Sequence, residues 1–168
     1  MTTVRVRAAT PDDFASIARL TLAAYEADGQ LKGEHGYGAV LADVATRAAH
    51  GEVLVAVDDA ENVLGSVTFV LPGSRFAELS AAGEAEFRML AVDPVGQGRG
   101  IGAALVDACV ARAGELGCSA VVICVRGGMA ESAQRLYQRR GFVRAPEKDW
   151  SPAPGVRLLG LRLELPRA

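Results

Sequence analysis

The chain reads as one α/β domain with a mixed sheet, the fold class that three of its features predict. Strand-like apolar runs are interleaved with helical periodicities along all 168 residues. The run Ala120-Val-Val-Ile-Cys-Val125 is apolar throughout, as expected of a strand covered on both faces and therefore parallel to a neighbour. A second run stops at Asp93-Pro94 and gives way, through Gly96, Gly98, Gly100 and Gly102, to a helical pattern. Proline cannot continue a paired strand, so this strand ends near Val92.

Taken in order, Val4 to Arg7 alternates apolar and charged residues, a short strand. Thr10-Pro11-Asp12-Asp13 supplies an N-cap, a proline at the first helical position and an acidic first turn. The helix it opens runs to about Ala27 and buries Phe14, Ile17, Ala18, Leu20 and Ala24. Asp28 to Gly38 has no periodicity and is a loop; a second helix covers about Ala39 to Ala49. Glu52–Val57 and Val63–Leu71 form a hairpin. Pro72 to Gly83 is a loop with a helical turn around Phe76 to Ala81.

Glu84 to Val92 is the central strand, with Glu84, Glu86 and Arg88 on one face and Ala85, Phe87 and Met89 on the other. Ile101 to Leu116 is a helix facing inward through Ile101, Leu105, Ala108, Cys109 and Leu116, and Gly117 stops it. After the strand at Ala120, a further helix spans about Ala130 to Arg140 and Phe142 to Arg144 starts another strand. Ala145 to Gly155 is a loop, and Val156 to Leu165 is the last strand. The expected sheet has about seven strands, with four main helices.

Length and the absence of linkers or repeats point to a single domain over residues 1–168. Hydrophobic residues make up 50% of the chain and aromatic ones 5%, so the core is aliphatic. A net charge of −2, with the basic residues spread along the chain, predicts no nucleic-acid partner. The 3 cysteines (Cys109, Cys118, Cys124) lack metal-ligand spacing; they are expected to be reduced, and no metal is expected. The N-terminal residues lack a signal-peptide apolar region and no run is long enough to span a membrane. A cytoplasmic protein is the expectation.

The glycine loop carries the chemistry. Glycine lets a ligand approach the backbone, and the helix that follows presents unpaired N–H groups at its positive end, a main-chain anion site suited to pyrophosphate. A P-loop needs Gly-Lys-Ser/Thr, and the only lysines are Lys32 and Lys148. A dinucleotide fingerprint fits formally as Gly98-x-Gly100-x-x-Ala103, but the next strand ends at Val125-Arg126 without an acidic residue for the ribose. A glycine-rich turn without a ligand would weaken the helix start to no end.

A third pattern, Gln97-Gly-Arg-Gly-Ile-Gly102 after Leu90-Ala-Val-Asp-Pro94, resembles the coenzyme A loop of the GNAT N-acetyltransferase superfamily. Ala133-Gln-Arg-Leu-Tyr-Gln-Arg-Arg-Gly-Phe142 is similar to that family's second signature. The resemblance implies the GNAT fold, with a splayed central pair of parallel strands, and an acetyl-CoA-dependent transfer to a primary amine of a small molecule or peptide. It implies that Leu90, Ala91 and Val92 meet the thioester and pantetheine arm. It also implies that Gln97, Gly98, Arg99, Gly100, Ile101 and Gly102 hold the pyrophosphate.

Tyr137 matches the tyrosine whose hydroxyl lies near the coenzyme A sulfur, and Glu86, four residues before Leu90, matches the base of several members. Glu84, Asp149 and a water chain are the alternatives for the base. A Glu86–Arg88 or Glu84–Arg88 surface pair would instead be purely structural. One departure is Ala130, where the family often has asparagine; Glu131 and Ser132 are nearby substitutes.

Three loops, about Asp28 to Tyr37, Pro72 to Gly83 and Pro146 to Gly155, are expected to set the acceptor. Their slight acidic excess favours a cationic amine, and His35 is a candidate contact. A homodimer is compatible with the resemblance. The alternative reading is a non-catalytic acyl-CoA-binding module of the same fold.

Overall fold

The computed structural model of the chain describes residues 3–31, 36–128 and 131–166. Strand β1 (Arg5–Ala8) precedes three helices, α1 (Phe14–Ala27), α2 (Tyr37–Ala42) and α3 (Val44–His50). Then come β2 (Glu52–Val57), β3 (Val63–Val70), β4 (Glu84–Val92), α4 (Ile101–Glu115) and β5 (Ala120–Arg126). The chain continues through α5 (Glu131–Arg139), β6 (Val143–Arg144), β7 (Trp150–Ala153) and β8 (Val156–Glu164). All 8 strands lie in one sheet of order β1-β2-β3-β4-β5-β8-β6, with β7 paired to β8. Every pairing is antiparallel except β4 with β5. Among the described residues no helix is long and apolar enough to cross a membrane.

The expected mixed α/β sheet is present, with an eighth strand and a fifth helix. The extra helix arises because Asp43 interrupts the single helix expected over 39–49. It adopts φ −86° and ψ 71°, and its carboxylate accepts the Thr46 N–H at 3.2 Å, capping α3. The extra strand is β7, which lies inside the expected loop 145–155 because Trp150 pairs with Leu158 and Ala153 with Val156. Leu116, expected to face inward, is 41% exposed just beyond the end of α4. The helical turn expected around Phe76 to Ala81 does not form, because the N–H groups of Glu78, Leu79 and Ser80 point instead at the Glu86 carboxylate.

Two layers of helix cover the sheet. Ile101, Leu105, Val106 and Cys109 of α4 pack with Tyr137 of α5 on Val67, Phe69, Phe87, Val121 and Ile123. On the other face, Ile17 of α1 and Val44 of α3 meet Val53, Val55 and Val57. Leu41 of α2 meets Val70, Phe76 and Met89. Arg47 of α3 is 1% exposed and ends α2, donating from Nη1 to the carbonyls of Leu41 (2.6 Å) and Val40 (3.3 Å).

A bulge breaks the alternation expected for the central strand. Arg88 pairs with Thr68 and Ala91 with Ser66, so Met89 and Leu90 together oppose Val67. Met89 takes φ +56°. It therefore packs with Phe76 beneath α2 instead of sharing a face with Ala85 and Phe87, while Leu90 and Val92 turn to the α4 side.

The segment 145–149 ties the end of the sheet to the loop before β4. Asp149 Oδ1 accepts the Gly160 N–H (2.7 Å), and Lys148 Nζ donates to the Leu79 carbonyl and to Glu84 Oε1, both at 2.8 Å. Gly160 is what permits this approach, since a Cβ there would lie 2.7 Å from the Ala145 carbonyl oxygen. Gly160→Ala should destabilise the protein by about 1–3 kcal/mol, read from urea unfolding, through overpacking against backbone that has little room to shift.

Candidate active site

Parallel pairing of β4 and β5 spans three residue pairs, Glu84–Ala120, Ala85–Val121 and Glu86–Val122. Beyond them β4 continues to Val92 and β5 to Arg126 without pairing to each other. A strand relieved of its neighbour presents main-chain donors and acceptors that must find partners elsewhere. Leu90, Ala91 and Val92 lie on this freed stretch, just past the bulge.

The glycine loop begins where that stretch ends. Gly98 and Gly100 take φ +82° and +76°, a region that favours glycine, and a Cβ on either would meet nothing within 4 Å. The space beside them is open. Among the described residues no acceptor engages the N–H groups of Gly98, Arg99 or Gly100, all three of which are exposed, as is Gln97. Gly100 caps α4, so these N–H groups and the positive end of a 15-residue helix face the same way. Ile101 is buried and anchors the helix start. Gly102 is a packing position as well, since its Cβ would come 3.1 Å from Leu136 of α5.

Tyr137 projects from α5 into the core, with its ring centroid 5.8 Å from those of Phe87 and Phe142. Burial first, and then the neighbouring Cys124 and Cys109 thiols, hold its hydroxyl well above the ordinary tyrosine range. These neighbours come from both sides of the sheet: Cys109 from α4, Cys124 from the opposite face of β5. Tyr25 of α1, itself raised by burial, also feels Tyr137. Tyr137 thus packs on the α4 side of the sheet against Phe87, the first residue of β4 beyond its last pair with β5.

The acidic residues of the opposite face are mostly engaged. Glu84 accepts from the Ala81 N–H and Lys148 Nζ, each at 2.8 Å, and pairs with Arg162. Burial raises its pKa, but those hydrogen bonds prevail and hold it below the ordinary value. Asp149 is held lower still, first by Arg144, whose Nη1 donates to it at 2.8 Å, and then by the Gly160 N–H. Glu86 is fully buried, and its carboxylate accepts the N–H groups of Glu78, Leu79 and Ser80 at 3.0–3.2 Å. Arg88 pairs with neither Glu84 nor Glu86. Its Nη2 lies 2.6 Å from Glu78 Oε1 and its Nη1 donates to the Phe76 carbonyl at 3.1 Å.

These features combine an open glycine loop ahead of a helix N-terminus, a parted pair of parallel strands and a buried tyrosine packed against one of them. A sequence profile of the acetyltransferase (GNAT) family matches residues 15–142. The chain belongs to the GNAT acetyltransferase family. Mycothiol acetyltransferase of Propionibacterium freudenreichii subsp. shermanii is 32% identical over 106 residues, which are 62% of this chain and 32% of that protein. The chain thus matches about a third of the length of this curated relative. A GCN5-related N-acetyltransferase from Kribbella flavida superposes with a TM-score of 0.70 at 26% identity, over 96% of this chain and 98% of that one. A GNAT-family acetyltransferase from Staphylococcus aureus Mu50 superposes with a TM-score of 0.76 at 14% identity, covering 98% and 100% of the two chains.

Of the residues expected to serve the donor, Leu90, Ala91 and Val92 lie at the unpaired end of β4, Gln97 to Gly102 lead into α4, and Tyr137 of α5 packs against Phe87 of β4. Glu86 stands on the opposite face, enclosed by loop N–H groups. The pair Glu78–Arg88 escaped the sequence reading. Glu78 lies in a loop of no regular pattern, where it is the one acidic residue between Pro72 and Gly83, and the sequence counted it only toward the slight acidic excess of three loops. His35 and Ala130 fall outside the described residues. Removing the carboxylate in Glu86→Ala would leave three N–H groups without their acceptor. The expected cost is about 2–4 kcal/mol in urea unfolding, with faster amide exchange at residues 78–80.

Proposed function

We propose that this GNAT-family protein is an acetyl-CoA-dependent N-acetyltransferase that transfers the acetyl group to a primary amine of a small molecule or peptide by direct attack. The observation that carries this reading is the parting of β4 from β5 at Glu86–Val122, with the open glycine loop at its end and Tyr137 packed on Phe87 just beyond the last pair. The fit to the cosubstrate rests on the same features. Exposed N–H groups at Gly98, Arg99 and Gly100, ahead of a helix N-terminus, suit a pyrophosphate. The unpaired stretch of β4 suits an extended arm that pairs with a strand edge.

Acetyl-coenzyme A supplies an activated acyl carbon and a thiolate leaving group. The chain's residues supply the rest. Gln97 to Gly102 would hold the diphosphate, and Leu90, Ala91 and Val92 would align the arm so that amine and acyl carbon meet in fixed geometry. The Tyr137 hydroxyl stays protonated across the working range because burial raises its pKa, so it can donate to a departing thiolate. The relative named mycothiol acetyltransferase supports acetyl transfer as the class of reaction, and the chain matches only a third of its length. One observation favours the second reading, a coenzyme A-binding module without turnover: the carboxylate expected to be the base is closed off by loop N–H groups.

Calorimetry with coenzyme A, followed by thiol release with a panel of amines, separates the two readings. Binding with turnover supports the enzyme, and binding alone supports the module. Gly100→Val should lower coenzyme A affinity at least about tenfold, because the side chain opposes the left-handed backbone and occupies the space beside the exposed N–H groups. Tyr137→Phe keeps the ring contacts with Phe87 and Phe142, so it should fold normally. Its kcat should fall by about a hundredfold or more.

A further inference from the structure

We infer that the proton acceptor for the incoming ammonium is Glu78, in the loop before β4, and that Glu86 and Arg88 are positioning residues which hold it at the strand parting. The inference rests on the acetyltransferase reading above and assigns the base within that site.

It begins from the state of each carboxylate on the acceptor face. A general base needs a lone pair free to receive a proton and a path to the nitrogen that carries it. Glu86 lacks the path, being fully buried, with the N–H groups of Glu78, Leu79 and Ser80 closed over its carboxylate. Glu84 is tied to Lys148, Arg162 and the Ala81 N–H, and Asp149 to Arg144 and the Gly160 N–H. Glu78 differs. Its side chain is 22% exposed, and among the described residues one group, Arg88 Nη2, holds it, at 2.6 Å through Oε1.

Its backbone is placed by Glu86, whose oxygens receive the Glu78 N–H at 3.1 and 3.2 Å. Arg88 holds the other side of the same turn by bonding the Phe76 carbonyl at 3.1 Å. Two charged residues of β4 thus grip one loop residue from its backbone and its carboxylate. The result fixes that carboxylate to Arg88, two residues beyond the last β4–β5 pair, and it adds to the burial that pushes the Cys124 thiol of β5 up to about 12.

The groups facing Glu78 are Arg88 and Glu86 from β4 and Cys124 from β5. Arg88 also opposes the burial that raises Tyr25 of α1, and Lys148 reaches the neighbouring Leu79 carbonyl. Among these, desolvation is the largest influence and raises the Glu78 pKa. Arg88 opposes it and Glu86 adds to it, leaving the group above the ordinary glutamate value. That direction suits a base, since a carboxylate raised toward neutrality takes a proton more readily.

The proton balance is complete within the site. Of the three protons on the ammonium, one stays on the amide nitrogen of the product. One passes to Glu78 and from there to solvent. The third replaces the proton that Tyr137 gives to the leaving sulfur. The new bond is C–N and the broken bond is C–S, so each turnover releases amide, free thiol and one proton.

The test compares Glu78→Gln and Glu86→Gln with the parent over a range of pH, using an amine that the parent acetylates. Glu78→Gln should lose about a hundredfold or more in kcat at neutral pH and lose the acidic limb of its profile. It should regain rate as pH rises, and bind coenzyme A as the parent does. Glu86→Gln should keep the acidic limb and raise the KM for the amine, with faster amide exchange at 78–80.

A Glu78→Gln variant with the parental rate and limb overturns the assignment while leaving the acetyltransferase reading in place. So does a Glu86→Gln variant that loses the limb with loop exchange unchanged. If no amine is turned over, the acetyltransferase reading fails, and the carboxyl carbon-13 signal of Glu78 still decides. A midpoint above the ordinary glutamate value, moving down when Glu86 is replaced by glutamine, supports the placement. A midpoint at or below that value overturns it.

Discussion

The short parallel contact between β4 and β5 is the constraint on which the rest of the architecture depends. Three residue pairs join the two halves of the sheet, and beyond Glu86 and Val122 the strands diverge. A divergence inside a sheet would normally strand a row of polar backbone groups. Here the two strands are supported from their outer sides: β5 pairs with β8 along its whole length, and β4 with β3 through the bulge. The opening can therefore exist without fraying the sheet. Tyr137, Glu78, Arg88 and the glycine loop matter because of where they lie around it.

The bulge at Met89 contributes a second effect. One extra residue on β4 exchanges the faces of everything that follows, so Leu90 and Val92 join the α4 side while Met89 drops beneath α2. The acceptor face thereby gains an apolar floor of Met89, Phe76 and Leu41 beside the charged pair Glu78–Arg88. Long polar side chains and aliphatic packing come to share one wall.

Much of this was legible before the structure. The run 120–125, the stop at Asp93-Pro94 and the glycines that follow contain their own physical reasons, because each local preference agrees with the global fold. The strand end at Val92 and the open glycine loop before α4 were readable for that reason. What escaped depended on contacts between residues distant in sequence. Whether Arg88 would pair with Glu84, Glu86 or Glu78 turns on the path of an aperiodic loop. The residue Met89 gives no sign in its own chemistry that the strand will bulge there. Asp43 split a helix that periodicity alone treated as one, although aspartate's liking for a helix start was available as a clue.

The environment of Glu86 has a wider meaning when set beside the start of α4. Runs of successive N–H groups converging on a point form concave nests that attract negative charge. This chain has one at residues 78–80 and exposed N–H groups at residues 98–100. The first is occupied by the chain's own carboxylate and has become architecture. The second faces solvent and stays available to an anion from outside. One kind of backbone device therefore serves as mortar in one place and stands open in another, according to whether the protein supplies the negative charge itself.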